Sequence, residues 1–340
     1  MEIKRILIVN VNWRGDVLFT TPFIRALRKK FPDSYIATLV VPRCAALLEL
    51  NPHLNEIIIF DEEGQHSGLR GKLELVKALK SKSFDTAFLL HRSTTRAFIC
   101  WLAGIPQRIG YYTRKRSLLL TKSIPVPRPD LHKVDYFLNI ASSLAIDAED
   151  KSYEFYFSRE DQDYVQRLLA QKGINSNDFS VIINPGGNWA PKRWPEEYFI
   201  HLADRLIEKH QAKIIITGAD SDLKLAEDIA GQLKGEAVVL SGQTTLGQLA
   251  ALMSQVKLVI ANDSGPMHIA VSQGAKVIAL FGPTSAKITG PYGKGNYTVI
   301  QKDIGCRIPC YQPDCDRKQC LREISVDDVL QAVEKVTVNG

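Results

Sequence analysis

Apolar and polar positions alternate along the chain in two repeating textures. Short, nearly continuous apolar runs, each ended by a polar or glycine-bearing loop, read as strands buried on both faces. Longer stretches whose apolar residues return every three or four positions read as helices. The runs predict strands at Arg5–Val9, Tyr35–Val41, Glu56–Phe60 and Asp85–Leu90 in the first half. In the second they predict Ser180–Asn184, Lys213–Thr217, Ala237–Leu240, Lys257–Ala261 and Lys276–Phe281. Helical stretches lie between them, among them Pro22–Phe31, Leu73–Lys80, Pro195–Lys209, Ser221–Leu233 and Thr245–Ser254. Strand and helix in alternation predict an α/β protein with parallel sheets.

The two halves begin alike. "RILIVNVNWRGD" and "SVIINPGGNWAPKRWP" are each a core strand, a polar loop with glycine, and a helix. At 340 residues the chain exceeds what one core usually holds. We expect two Rossmann-like domains facing across a cleft, with a boundary in the polar stretch near the helix Arg159–Gln171. The spans are 1–150, 151–325, and a final helix within 326–340 that packs back on the first domain. Ligands in such folds lie beyond the carboxyl ends of the strands.

Composition adds little: 45% hydrophobic and 24% charged residues are ordinary for a globular protein. No apolar run approaches the roughly 20 residues that span a bilayer. The opening segment reads as a first strand, so the expected location is cytoplasmic. Charge is more informative. Residues 1–150 hold 22 Lys/Arg against 15 Asp/Glu, and the rest 21 against 22. Between His91 and Lys133 nine basic residues face one acidic residue, Asp130. Such an excess is either a solvated face or a surface for an anionic partner. No nucleic-acid-binding motif accompanies it.

Four loops at strand ends carry candidate chemistry. In Asn12–Asp16, Gly15 permits a tight turn, and Asp16 is either a helix N-cap or a general base. In Asn184–Pro195, Gly186 and Gly187 open the backbone and Lys192 and Arg193 bring two cations, a combination suited to a diphosphate. Neither a Walker A loop nor GxGxxG is present there. In Thr217–Asp222, acidic residues after Gly218 either accept from ribose hydroxyls or cap a helix, with Ser221 or Asp220 the expected cap. The fourth loop is Asn262–His268. It sets Asp263, Ser264 and Gly265 at a strand end, with His268 in the first helical turn as either a packed core residue or a ligand. Phe281–Thr284 closes a further strand with small residues and a hydroxyl.

These motifs, in this order and spacing, resemble the family 9 glycosyltransferases, the ADP-heptose:lipopolysaccharide heptosyltransferases. The resemblance rests on Gly15-Asp16-Val17 with Thr20-Thr21-Pro22, Pro185-Gly186 with Lys192–Pro195, Asn262–His268, and Phe281–Thr284. It covers nearly the whole chain and inclines towards heptosyltransferase II. It implies a GT-B fold, with acceptor on the first domain and nucleotide sugar mainly on the second. The implied reaction is inverting transfer of heptose from ADP-heptose to the inner core of lipopolysaccharide.

The resemblance also implies roles for residues. Asp16 is the base and Lys192 the catalytic contact to the donor phosphates. Gly15, Gly186, Gly187, Arg193, Asp222, Gln243, Thr244, Asp263, Ser264, Gly265 and His268 bind the donor. Arg92, Arg96, Arg114, Lys115, Arg116, His132 and Lys133 are candidates for binding the acceptor. No metal and no cofactor is implied, and the anionic inner face of the inner membrane becomes a partner surface. Two rival functions remain from the residues alone. One is a nucleotide-sugar epimerase of the same fold, which has no use for the basic face. The other is a non-enzymatic polyanion-binding protein, which has no use for Asp16 or the loop from Asp263 to His268.

Cys306, Cys310, Cys315 and Cys320 form a cluster with spacings unlike the usual C-x2-C zinc pairs. A structural metal site, a disulfide clip and free thiols are all compatible with it, and a structural role is expected over a catalytic one.

Overall fold

A computed structural model of the chain describes residues 3–310, 312, 315 and 319–338. The chain divides into two compact units, Met1–Tyr156 and Phe157–Gly340. The division falls six residues beyond the expected boundary. Residues 1, 2, 311, 313, 314, 316–318, 339 and 340 of the expected spans lie outside the described residues.

The first unit carries strands β1 (Arg5–Val9), β2 (Tyr35–Val40), β3 (Glu56–Ile59), β4 (Thr86–Leu89), β5 (Gln107–Tyr111) and β6 (Lys122–Ile124). The second carries β7 (Ser180–Asn184), β8 (Lys213–Ile216), β9 (Ala237–Val239), β10 (Leu258–Asn262), β11 (Val277–Phe281) and β12 (Tyr297–Gln301). The sheets run β3-β2-β1-β4-β5-β6 and β12-β11-β10-β7-β8-β9. Every described pairing is parallel. Both sheets therefore have the doubly wound Rossmann order, with the reversal of strand order between β1 and β4 and between β7 and β10.

Hydrophobic patterning explains the centres of both sheets. Ile6 to Val9, Val181 to Ile183 and Leu258 to Ala261 are completely buried, as strands covered by helices on both faces must be. The patterning does not predict β5, β6 or β12. β5 and β6 carry few apolar residues, β12 is only half-buried, and β6 and β12 are sheet edges. The basic stretch after His91 thus contains two strands, and Arg108 of β5 donates from Nε to the Leu119 carbonyl at 2.6 Å.

The helix Arg159–Gln171 opens with a reciprocal cap between Ser158 and Asp161 and packs on the helix Leu246–Met253. The final helix, Val326–Val338, was expected to pack back on the first domain. Within its own unit it contacts β11, β12 and the helix Glu196–His210. Val329 and Val333 supply a buried stripe four residues apart that docks there.

Candidate functional site

In the second unit, four loops are tied together at the carboxyl ends of β7, β8, β10 and β11. Asn184, the last residue of β7, donates from Nδ2 to the carbonyl and hydroxyl of Thr217 at 3.0 and 3.1 Å. Asn262, the last residue of β10, is fully buried. Its Nδ2 donates to the carbonyls of Pro185 and Gly186, and its Oδ1 accepts from the Trp194 N–H at 3.1 Å. One side chain thus clamps both ends of the 185–194 loop. Trp194 anchors that loop further, donating from Nε1 to the Ile324 carbonyl and packing edge-on against Phe199.

On this frame Lys192 Nζ reaches Asp263 Oδ2 at 2.7 Å, and the Thr284 hydroxyl donates to the same oxygen at 2.6 Å. Asp263 is buried and Lys192 is three-quarters covered. The pair spans the reversal of strand order between β7 and β10, where ligands of this fold class bind. An ammonium carries three donors, so Lys192 retains capacity towards a ligand.

Arg193 turns the other way. Its Nε and Nη2 donate to the Gly187 carbonyl at 2.9 and 2.7 Å, and Nη2 lies 3.5 Å from Asp222 Oδ1. Asp222 Oδ2 accepts from the Ala219 N–H at 3.1 Å. The cap of this turn is therefore Asp222, not the expected Asp220 or Ser221, both of which are exposed. Gly186 is required by this arrangement, because a Cβ there would lie 2.3 Å from Asp222 Oδ2.

Ser264 stands at the N-cap position of the helix Gly265–Ser272, but its side chain caps nothing. Its Oγ is buried with no hydrogen-bond partner. His268 is buried one turn further in. Ser241, just beyond β9, has a second buried hydroxyl without a partner, 3.0 Å from where a Cβ on Gly218 would stand. Gln243 is exposed and donates to the Val239 carbonyl, and Thr244 is half-buried beside it. Sequence reasoning gave no role to Asn262, Ser241 or Thr284. Asn262 and Thr284 had a signal, standing in the strand-end motifs Asn262–His268 and Phe281–Thr284; Ser241 had none.

In the first unit, β1 runs into a short helix, Arg14–Leu18. Asp16 is half-buried in its first turn, while Trp13 holds the N-cap position, so Asp16 is not the cap. Gly15 is the second helical residue. The loop is set by Asn10, whose Nδ2 donates to the Thr20 hydroxyl, and by the hydroxyls of Thr20 and Thr21, which donate to the carbonyls of Val17 and Leu18.

The basic residues separate into two groups. Arg92, Arg114 and Lys115 are exposed, and Lys133 lies over the Tyr136 ring. Arg96 and Arg116 are fully buried framework residues, contrary to the expectation that they face an acceptor. Arg96 donates to the Asn10 carbonyl and to Glu62 Oε2, both at 2.8 Å, and stacks over Phe60. Arg116 donates to the carbonyls of Tyr111 and His91. Burial lowers its pKa to about 10. Both arginines close backbone carbonyls at strand ends, which leaves them no surface for a ligand. His132 is also buried; its Nδ1 accepts from the Val134 N–H and its ring meets Phe19 edge-on at 5.4 Å. It caps the helix Lys133–Ser142. His91, after β4, is held near a pKa of about 4, by burial first and then by the positive charges of Arg96 and Arg116.

Cys306, Cys310, Cys315 and Cys320 are free thiols around one cavity of about 100 Å³, walled also by Pro191, Gly282 and Pro283. The Cys310 N–H donates to the Pro283 carbonyl at 2.7 Å. Among the described residues no group of three or more His, Cys, Asp or Glu side chains could hold a metal ion.

Two doubly wound parallel sheets, with a lysine–carboxylate pair at the strand-order reversal of the second, define an α/β protein of the Rossmann class. The chain belongs to glycosyltransferase family 9 (heptosyltransferase), whose model matches residues 72–320. It is 28% identical to lipopolysaccharide heptosyltransferase 2 of Escherichia coli K12, over 84% of this chain and 85% of that one. It is 29% identical to lipooligosaccharide heptosyltransferase 2 of Haemophilus ducreyi, over 98% and 99%. The solved structure of a family 9 glycosyltransferase from Veillonella parvula superposes with a TM-score of 0.91 at 28% identity, covering 100% of this chain and 99% of that one.

Proposed function

We propose that this enzyme transfers heptose from ADP-heptose to the inner core of lipopolysaccharide, inverting the anomeric centre. The observation that carries the donor side is the Lys192–Asp263–Thr284 lock beside the unpartnered Ser264 hydroxyl. Negative charge grows on the diphosphate as the glycosidic bond breaks. Lys192 stabilises that charge, together with the backbone N–H groups that open the helix Gly265–Ser272. Asp263 positions Lys192, since a carboxylate facing a diphosphate directly would oppose binding. Ser264 Oγ gains in the complex the partner it otherwise lacks. Gly186, Gly187, Arg193 and Asp222 shape the adjoining loop, Gly265 and His268 the helix opening, and Gln243 and Thr244 the nucleoside end.

Asp16 takes the proton of the acceptor hydroxyl, whose oxygen attacks the anomeric carbon opposite the departing ADP. A carboxylate in the first turn of a helix and not consumed as its N-cap is suited to that role. Arg92, Arg114, Lys115 and Lys133 offer positive charge to the anionic keto-sugars and phosphates of the acceptor, with His132 shaping the floor by Phe19. With a lysine and a helix opening at the leaving group, the reaction needs no divalent metal. The enzyme works at the cytoplasmic face of the inner membrane, and the similarity to heptosyltransferases 2 favours an acceptor already carrying one heptose.

The test is transfer from ADP-heptose to keto-sugar lipid A, with and without a first heptose, in EDTA. Wild type is expected to transfer to the heptosylated acceptor, and Asp16→Asn to lose transfer while still binding ADP. Full activity in Asp16→Asn would refute the base. Tight ADP binding without transfer to either acceptor would refute the substrate assignment.

A further inference from the structure

Three neighbouring elements of the first unit expose large apolar side chains. The helix Gly68–Ser81 packs on the helix Thr94–Leu102, which packs on the turn Ser117–Leu119. Leu69 is 76% and Leu118 96% exposed. Leu73, Phe98, Trp101 and Leu102 are exposed as well, and the rings of Phe98 and Trp101 stack with centroids 5.5 Å apart. Phe98, Trp101 and Leu102 fall at helical spacing on one face, as do Leu69 and Leu73. Single exposed apolar residues are ordinary, but six on touching elements mark an interaction surface.

The charges beside them specify the partner. Lys77 and Lys80 continue the face begun by Leu69 and Leu73, and both are exposed. The helix holds four basic residues against Glu74, whose carboxylate pairs with Arg70 at 3.3 Å. Exposed Arg114 and Lys115 precede Leu118, and no acidic residue occurs from Ser93 to Pro129. Apolar tips with a basic surround match an anionic bilayer, where the tips enter the acyl boundary and the cations meet headgroups. A two-fold pairing of two copies through this face would bring like charges together.

We propose that this face docks the enzyme on an anionic lipid bilayer. The proposal deepens the membrane part of the preceding reading and rests on it for biological sense, but its measurement is independent. Intact protein is sedimented with phosphatidylcholine vesicles, and with vesicles that also contain phosphatidylglycerol. Wild type is expected to bind the anionic vesicles and not the neutral ones, with binding falling as salt is raised. Phe98→Ser/Trp101→Ser/Leu118→Ser and, separately, Lys77→Glu/Lys80→Glu are each expected to weaken binding by about tenfold or more. Both should keep the thermal midpoint and their transfer to a soluble, deacylated acceptor. Wild type that ignores anionic vesicles, or binds neutral ones equally, overturns the proposal. So do variants that bind as wild type. A wild-type dimer that the triple variant converts to monomer assigns the face to a second copy instead. Absence of heptosyl transfer with vesicle binding intact refutes the enzyme reading alone.

Discussion

Lys192 Nζ and Asp263 Oδ2 lie 2.7 Å apart, joining the loop after β7 to the loop after β10. The carboxylate is also held by the Thr284 hydroxyl, so the lysine is aimed by a group that is itself fixed. Lys192→Met is expected to lower kcat by about 10²–10³, the usual cost of removing a preorganised charge stabiliser. Asp263→Asn should lower it less. If the two act as a unit, the double variant is hardly worse than Lys192→Met alone. Steady-state kinetics on the three variants measures the coupling, and simple additivity would contradict it.

Gly186→Ala places a methyl group 2.3 Å from Asp222 Oδ2. The carboxylate must leave Arg193 and the Ala219 N–H. Stability should fall by about 1–3 kcal/mol, with weaker ADP binding. Adding Asp222→Ala removes the clash, so the double variant should recover part of the urea midpoint that Gly186→Ala loses.

Arg116 and Arg114 are two residues apart but should respond differently. Arg116→Met leaves the carbonyls of Tyr111 and His91 without their donors, a loss of about 2–4 kcal/mol. Arg114→Ala, at an exposed position, should stay within about 0.5 kcal/mol of wild type. Parallel urea titrations decide between framework and surface roles.

His91 is kept neutral in the folded protein down to about pH 4, against an ordinary value of 6.5. Between those values the unfolded chain binds the extra proton, so stability rises with pH there. The contribution is complete above pH 6.5 and is lost as pH falls towards 4. His91→Asn keeps an acceptor for the Ser93 N–H but does not titrate. Its unfolding midpoint should therefore change less with pH across that window.

The six thiols should react in order of access. Cys306 is exposed, whereas Cys44 and Cys100 are buried, and burial pushes the Cys100 thiol up to about 12. A thiol reagent on the reduced native protein is expected to modify Cys306 first, and Cys44 and Cys100 only on denaturation. Early labelling of Cys100 would contradict the buried core assigned to the helix Thr94–Leu102.

The central strands were legible because burial on both faces leaves an almost unbroken apolar run, a signal local to five residues. β1, β7 and β10 have it; β5, with Gln107, Arg108 and Gly110, and the edge strand β12 do not. Strand ends in Gly, Asp and Lys were legible as a candidate site for the same local reason. Charge was the misleading signal. A sequence counts Arg96 and Arg116 with Arg114 and Lys115, since all carry the same side-chain chemistry. Whether a guanidinium meets solvent or a carbonyl depends on what the chain brings to it from elsewhere. The carbonyl of Asn10 comes to Arg96 from 86 residues away.

By itself, then, the sequence determined the α/β class, the central strands of both halves and the strand-end loops that carry the candidate site, since propensity and burial pattern act over short stretches. Tertiary structure decided the partners. It gave Lys192 to Asp263, Arg193 to Gly187, Asp222 to the Ala219 cap, and Arg116 to the backbone. It also left Phe98, Trp101 and Leu102 uncovered on a helix whose Ala97, Ile99 and Cys100 the core absorbed. Hydrogen bonds and burial between residues far apart in the chain depend on geometry that only the assembled fold supplies.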